Sequence, residues 1–200
     1  MLGSAAVAMW WDIAPEVRAE WEDWHTREHM PERLAIPGFL RGTRWIAASG
    51  EPSYFVLYEA ADLGTLTGGP YVERLNNPTP WSRRMMPHHL NMVRSLCRVR
   101  EKYGGGLAHA TATLQLERPP AAETLARLAQ RKGVSAAHVL EAQSPAGMPQ
   151  TTEQKIRGGD REAKWIALVS GYDAAAVAAA AGEAGAGAAA RVYRLAFCLP

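Results

Sequence analysis

Short segments of alternating apolar and polar residues, separated by glycine, proline and acidic residues, predict strands along the whole chain. The first half opens with a strand at 5–11 and continues with a helix at 15–29, in which proline takes an early position. A glycine then opens a strand at 39–47, and another strand at 54–62 ends in an acidic helix start. With a last strand at 96–99, the order is strand, helix, strand, strand, helix, strand.

The second half of the chain repeats this order. Its matching elements are strands at 110–116, 134–142, 165–173 and 196–199 and helices at 121–130 and 174–190. Cys97 and Cys198 close the two halves at matching places, and Gly104 to Gly106 mark the boundary. We therefore predict an α+β protein of tandem ferredoxin-like (βαββαβ) repeats, at 1–103 and 107–200, whose sheets pack face to face. We expect the first repeat to carry the site and the second, which has no counterpart to the histidines and glutamate at 25–29, to be structural.

Composition limits the class of protein and its partners. The chain is 48% hydrophobic, and 22 basic and 20 acidic residues leave a formal net charge of +2. This balance argues against nucleic acid and membrane surfaces as partners, and no apolar run approaches the ~20 residues that cross a bilayer. Because no basic secretion signal opens the chain and its two cysteines form no CxxC pair, we expect a cytoplasmic protein with free thiols.

The candidate chemistry lies at the end of the first helix, where His25, Glu28 and His29 precede Pro31. At 100° per residue, Glu28 falls within an apolar stripe that contains tryptophans, so its carboxylate would be partly desolvated. We expect His29 to act as general base or acid and Glu28 to be its partner, while His25 either orients the pair or is a surface residue. A structural salt-bridge network around Glu28 is the alternative.

The segment His25-Thr26-Arg27-Glu28-His29 also matches H-x-x-E-H, a zinc-binding pattern with two histidines one turn apart. We expect no metal here, because no third protein ligand is evident and Pro31 should end the helix. The chain has no nucleotide-binding, flavin-binding or catalytic-thiol motif, so we expect no cofactor.

Candidate substrate-binding residues lie on two strands and beside the Pro-rich turn at 76–80. Side chains alternate along a strand, so one of Arg41 and Arg44 should face the pocket, although the pattern does not choose between them. A guanidinium there suits a carboxylate or enolate oxygen. The other candidates are a tyrosine on the third strand and three residues after the turn: Tyr58, Trp81, Arg83 and His88. His88 and His89 cannot point the same way, so at most one joins a site.

The run Glu28-His29-x-Pro31-Glu32-Arg33-Leu34, followed by Ile36-Pro37-Gly38-Phe39, resembles the dimeric α/β-barrel superfamily, especially its EthD-like and stress-responsive members. The resemblance covers the first half of the chain, and the second half only by its order of elements. It implies a barrel-type assembly, with a homodimer as the expected state. It also implies a pocket between the first helix and the sheet, where the residue at the position of His29 faces the ligand.

Together these observations predict a cofactor-independent enzyme of catabolism or natural-product metabolism. The expected chemistry is acid/base catalysis, as an isomerase, dehydratase or lyase, on a small unsaturated, carboxylated or phenolic compound. Two alternatives stay open: a cofactor-free oxygenase of the same fold, and a non-catalytic small-molecule-binding or stress-associated protein.

Overall fold

The computed structural model describes residues 1–50, 52–143, 149–185 and 187–200, and within them eight antiparallel strands close a barrel in one chain. The strands are β1 (Ala5–Ile13), β2 (Phe39–Ala47), β3 (Tyr54–Ala60), β4 (His89–Gly104), β5 (Ala110–Leu116), β6 (Val134–Ala142), β7 (Trp165–Gly171) and β8 (Arg191–Leu199). Around the barrel they follow the order β1-β3-β2-β8-β5-β7-β6-β4. The first four strands therefore adjoin as β4-β1-β3-β2, and the last four adjoin in the same relative order, β8-β5-β7-β6.

Two seams join the halves of the chain. β4 pairs with β1 along its first part and with β6 along its last part, while β2 pairs with β8. The strand expected at 96–99 is thus the middle of a 16-residue strand that runs to the predicted boundary at Gly104. One chain supplies the whole barrel, so a second copy is not needed to close it.

The apolar residues form three cores, and the tryptophans of the first half are divided between two of them. Trp10 and Trp45 fill the barrel interior, where Trp10 stacks on Phe55 with ring centroids 5.0 Å apart. Trp11 lies on the opposite face of β1 and packs outside the barrel against the helices of the first half. The indoles therefore do not line one common cavity, because adjacent strand residues point to opposite faces.

The helix expected at 15–29 is built from four consecutive parts: a 3-10 turn (Pro15–Val17), α1 (Arg18–Trp24), a π turn (His25–His29) and α2 (Met30–Leu34). In the π turn, the Met30 N–H bonds to the His25 carbonyl five residues back. Pro31 does not end the helix as expected. It falls in the first turn of α2, where a missing N–H removes no needed hydrogen bond, and the helix continues to Leu34.

The remaining helices cover the outside of the barrel. They are α3 (Leu63–Thr67), α4 (Gly69–Asn76), α5 (Pro80–Met85), α6 (Ala122–Leu128), α7 (Thr152–Arg157) and α8 (Ala174–Gly185), with a 3-10 turn at Met86–His88. The pattern did not predict α7, which lies between β6 and β7 and contacts α4 and the turn at Met86–His88 of the first half. In the described ranges, no helix has the length and apolar character needed to cross a membrane.

Candidate functional site

A small cavity lies between the first helix and the outer face of the first four strands. Its volume is about 20 Å³, enough for one water molecule. Most of its wall comes from the first half of the chain, and α7 adds two residues from the second half, which we had expected to be purely structural. The lining residues are Met9, Trp11, His25, His29, Arg33, Tyr58, Tyr71, Leu75, Met86, His89, Met92, Arg94, Glu153 and Arg157.

The π turn brings His25 and His29 to the cavity, and α2 adds Arg33. These residues are spaced by four, and their exposed fractions are 1%, 8% and 2%. A π turn advances by a smaller angle per residue than an α-helix, so the residues after Trp24 do not follow the 100° pattern used for the sequence. The two imidazole centroids are 5.5 Å apart, and the His29 ring lies 4.5 Å from that of Trp24.

The neighbours of His25 decide which of its ring nitrogens carries the proton. Nδ1 lies 3.5 Å from Arg44 Nη1, and Nε2 lies 3.5 Å from the Tyr58 hydroxyl. Because a guanidinium only donates, Nδ1 accepts, and Nε2 carries the proton and donates to Tyr58. Burial first, and the charge of Arg44 second, lower the pKa of His25 well below 6.5 and keep the ring neutral. The hydroxyl proton of Tyr58 is left available to a ligand.

His29 differs from His25 in having a buried nitrogen, Nδ1, with no hydrogen-bond partner among the described residues. Burial lowers its pKa well below 6.5, and the nearby charge of Arg33 lowers it further. His29 is therefore a neutral imidazole in a cavity wall with an unused ring nitrogen. Such a group can take a proton from a ligand or return one to it.

His89, not the predicted His88, reaches the cavity. It is the first residue of β4, while His88 ends the preceding 3-10 turn and is absent from the lining. Both ring nitrogens of His89 are used: Nε2 accepts from Trp21 Nε1 at 3.2 Å, and Nδ1 donates to the Met86 carbonyl at 3.0 Å. Burial lowers its pKa to about 3. We therefore assign His89 a structural role.

Arginines dominate the charge of the cavity wall. Arg33, Arg94 and Arg157 line it, against the single carboxylate of Glu153. Arg33 pairs through Nη2 with Glu153, and both side chains are at most 3% exposed. Sequence reasoning missed all four residues. A signal for Arg33 was present, because it follows His25 and His29 at the same spacing of four residues. No pattern in the sequence indicates Glu153, which is 120 residues from Arg33.

The Glu28 carboxylate is half-buried and lies outside the cavity lining. Its Oε1 accepts hydrogen bonds from Trp24 Nε1 at 3.2 Å, Thr79 Oγ1 at 2.5 Å and Ser82 Oγ at 3.5 Å. It thus ties the first helix to the start of α5 and does not face the cavity beside His29, contrary to the expected geometry. Among the described residues, no three His, Cys, Asp or Glu side chains converge as metal ligands.

The two strand arginines point to opposite sides of the sheet, as alternation predicted. Arg44 faces the helices, where Nη1 donates to the Glu22 carbonyl at 3.0 Å and approaches His25. Arg41 faces the barrel interior, and its Nε donates to Glu59 at 2.8 Å. Neither lines the cavity, so Arg44 acts on it only through His25.

Two further candidates lie away from the cavity. Trp81 packs against the core of the first half, and Arg83 is exposed on α5. Thr79 caps this helix by accepting from the Ser82 N–H, so the helix is anchored at its start and directs Arg83 to solvent. Of the predicted site residues, the cavity therefore brings together His25, His29 and Tyr58.

A larger cavity, of about 400 Å³, opens at one mouth of the barrel and is lined by residues that include Trp10, Asp12, Arg161 and Arg191. Its volume is that of a small-molecule site, but no histidine lines it. We place the candidate chemistry in the smaller cavity, because the neutral imidazoles and the buried arginines meet there.

Solved structures share this architecture. An anthrone oxidase-like protein superposes with a TM-score of 0.58 at 12% identity, covering 98% of this chain and 92% of its own. A protein assigned as a monooxygenase, from Fusobacterium nucleatum subsp. nucleatum, gives a TM-score of 0.55 at 6% identity and covers 99% and 95%. Another, from Lactobacillus acidophilus, gives 0.50 at 10% identity and covers 96% and 92%.

These likenesses establish an α/β-barrel fold. At such low identities they show the fold alone. No protein-family model and no curated protein matches the chain.

Proposed function

We propose that this protein is a small-molecule enzyme that removes a proton from a phenolic or enolisable carbonyl compound, with His29 as general base. The observation that supports this most is the unused, buried Nδ1 of His29 in a wall that carries three arginines and one carboxylate. A neutral imidazole accepts a proton, and fixed cations stabilise the anion that forms.

The surroundings of His29 favour an ion pair between its imidazolium and the enolate of the substrate. Burial makes the free imidazole of His29 a weak base, but an enolate formed beside it favours the imidazolium and raises its pKa during the reaction. Tyr58, which accepts from His25, retains a proton to donate to the enolate oxygen. The cavity must widen for a ring to enter, and three of its lining residues are methionines, whose unbranched side chains change shape readily: Met9, Met86 and Met92.

The fate of the anion decides the overall reaction. Return of the proton to another atom gives isomerisation, and expulsion of a leaving group gives dehydration or lyase chemistry. This acid/base chemistry is our first candidate.

The second candidate is a cofactor-free oxygenase, favoured by the fold likeness to an anthrone oxidase-like protein and to proteins assigned as monooxygenases. There the carbanion forms a C–O bond with oxygen, the resulting peroxide anion takes the proton from His29 to give a hydroperoxide, and loss of water leaves a ketone. A non-catalytic binding protein would not need a free His29 nitrogen.

Hydrogen exchange tests the proton-transfer step apart from later steps. Anthrone is a suitable probe, because its methylene protons are acidified by a conjugated carbonyl. In deuterated buffer without oxygen, we expect the protein to accelerate deuterium incorporation at this methylene, followed by NMR. We expect His29→Gln to lower the rate by about 10²- to 10⁴-fold, and the matched His88→Gln control to keep it.

Oxygen uptake under air then separates the two candidates, since only the oxygenase consumes oxygen in step with product. Equal exchange rates for the wild type and His29→Gln contradict the proposed base.

We also infer that 1–103 and 107–200 are tandem ferredoxin-like repeats, which the shared strand order of the two halves supports. A homodimer of two such barrels stays a prediction. Glu28 takes a positioning role in this proposal, because its contacts with Thr79 and Ser82 fix the helix that presents His29.

A further inference from the structure

Helix α7 extends from the second half of the chain onto the cavity of the first. It lies in the connection between β6 and β7, at residues 143–164, whereas β2 and β3 are joined by residues 48–53 alone. A capping box between Thr151 and Gln154 starts the helix. The Thr152 N–H donates to Asn76 Oδ1 at 3.0 Å and so anchors this start on the first half.

The face of α7 that packs on the first half of the chain carries charged groups that are almost fully buried. Glu153 contacts Arg33 through one oxygen and lies 3.7 Å from Arg157 through the other. Arg157 also pairs with Asp160 through Nε and Nη2, at 3.1 and 2.9 Å. Burying charges is costly unless each is paired. This network is paired throughout except at Arg33 Nη1, a buried donor without a partner among the described residues.

We propose that α7 completes an anion-binding wall of the cavity, where Arg33 Nη1 binds a carboxylate or enolate oxygen of a monoanionic, ring-containing substrate. This deepens the proposed function, on which it rests for the identity of the site. Arg33 lies one turn after His29 on the same helix face, so the bound oxygen would lie beside the base. Glu153 is a positioning residue, which fixes the guanidinium through Nη2 and leaves Nη1 to the ligand.

The charge of the wall selects an anion over a neutral or cationic ligand. Three arginines line the cavity against one glutamate, and Asp160, outside the lining, pairs with Arg157, so one net positive charge remains. The present volume of about 20 Å³ accommodates one oxygen atom beside Arg33 but no ring. The ring of the ligand must therefore displace lining side chains, of which Met86 and Met92 are the most adaptable.

Benzoate and benzamide test this inference, because they share a shape and differ in charge. We would measure the binding of each by calorimetry to the full chain. The wild type should prefer benzoate by about tenfold or more, the worth of a hydrogen bond to a charged group. In the double variant Arg33→Gln/Glu153→Gln, which removes both partners of the ion pair and leaves Arg157 paired with Asp160, this preference should vanish.

Two further variants complete the design. Glu153→Asp keeps the charge but shortens the side chain by one methylene. It should therefore lower the affinity for benzoate severalfold and leave the affinity for benzamide unchanged. If Glu153 had a purely structural role, the substitution would lower both affinities equally. Arg161→Gln is the matched control at the barrel mouth, where a larger cavity is also lined by arginines. It should keep the full preference.

The inference is overturned if the wild type binds benzoate no better than benzamide, or if the double variant keeps the preference. It is also overturned if Arg161→Gln removes the preference, since the anion then binds at the barrel mouth. Benzoate is not turned over, so these outcomes are independent of the deuterium-exchange test. Exchange that is insensitive to His29 would reject the proton transfer and leave the anion site standing.

Discussion

At the scale of single residues, burial sets the protonation of the histidines. His25, His29, His89 and His138 are each at most 8% exposed, and desolvation is the first cause that lowers each pKa. In His89 the neutral form is fixed by two hydrogen bonds, whereas His29 keeps a nitrogen free. The same physical effect thus yields a structural residue at one position and a candidate base at another.

These histidines predict how stability depends on pH. The pKa of His89 is about 3 and that of His138 about 4 in the folded chain, against about 6.5 when unfolded. Above pH 6.5 both states are neutral, and stability has its full value. As the pH falls below 6.5, the unfolded chain binds protons that the folded chain refuses. Each histidine should then remove about 1.4 kcal/mol per pH unit from the free energy of unfolding.

Urea unfolding at pH 7, 6 and 5 measures this slope. His138→Gln is the informative variant, since it should make the slope shallower by the contribution of one proton. A free energy of unfolding that does not change between pH 7 and 5 would contradict the assignment of neutral buried imidazoles.

At the scale of elements, alternation predicted strands better than periodicity predicted helices. β2, β5 and β6 have the bounds expected from the sequence, because apolar alternation between glycines and prolines is a local signal. The π turn escaped prediction, because a 100° pattern assumes one constant rotation. α7 escaped because its buried face is charged, and its partner Arg33 is 120 residues distant from Glu153. Hence the histidines of the candidate site were found, but the arginine–glutamate wall was not.

Two glycine turns give a prediction at this scale. Gly38 and Gly133 precede β2 and β6 with φ of 95° and 91°, and an added Cβ would lie 2.4 Å from Thr65 Oγ1 or 2.6 Å from the Ala176 Cβ. Gly38→Ala and Gly133→Ala should each lower the free energy of unfolding by about 1–3 kcal/mol. Gly105→Ala is the control, since no atom lies within 4 Å of its added Cβ.

Urea denaturation of the three variants provides the comparison. Values for the Gly38 and Gly133 variants that match the control would show that these backbones relax without cost. In that case, positive φ would not be what selects glycine at the starts of β2 and β6.

At the scale of the molecule, the two seams make the halves depend on each other. Alone, residues 1–106 would expose the outer edge of β2 and the last part of β4, and residues 107–200 would expose the edges of β6 and β8. Unpaired edges recruit other strands. The cavity also needs both halves, because α7 supplies Glu153 and Arg157.

Cutting the chain between Gly106 and Leu107 tests this dependence. We expect each fragment expressed alone to aggregate or self-associate, and the two fragments expressed together to co-purify as one barrel by size-exclusion chromatography. Intact protein cleaved at an inserted protease site in this position should stay assembled, which controls for the cut itself. A monomeric fragment 1–106 with native near-UV circular dichroism would refute the expectation.

A barrel closed by one polypeptide has a freedom that a symmetric pair of identical subunits lacks. In such a pair every substitution occurs twice, so both sides must tolerate it. Here each half can specialise: the first has buried imidazoles beneath its helix, while the second has the alanine-rich α8 and contributes α7 to the cavity wall. Point mutations can therefore change one half of this chain without changing the other, so that the two halves take different roles.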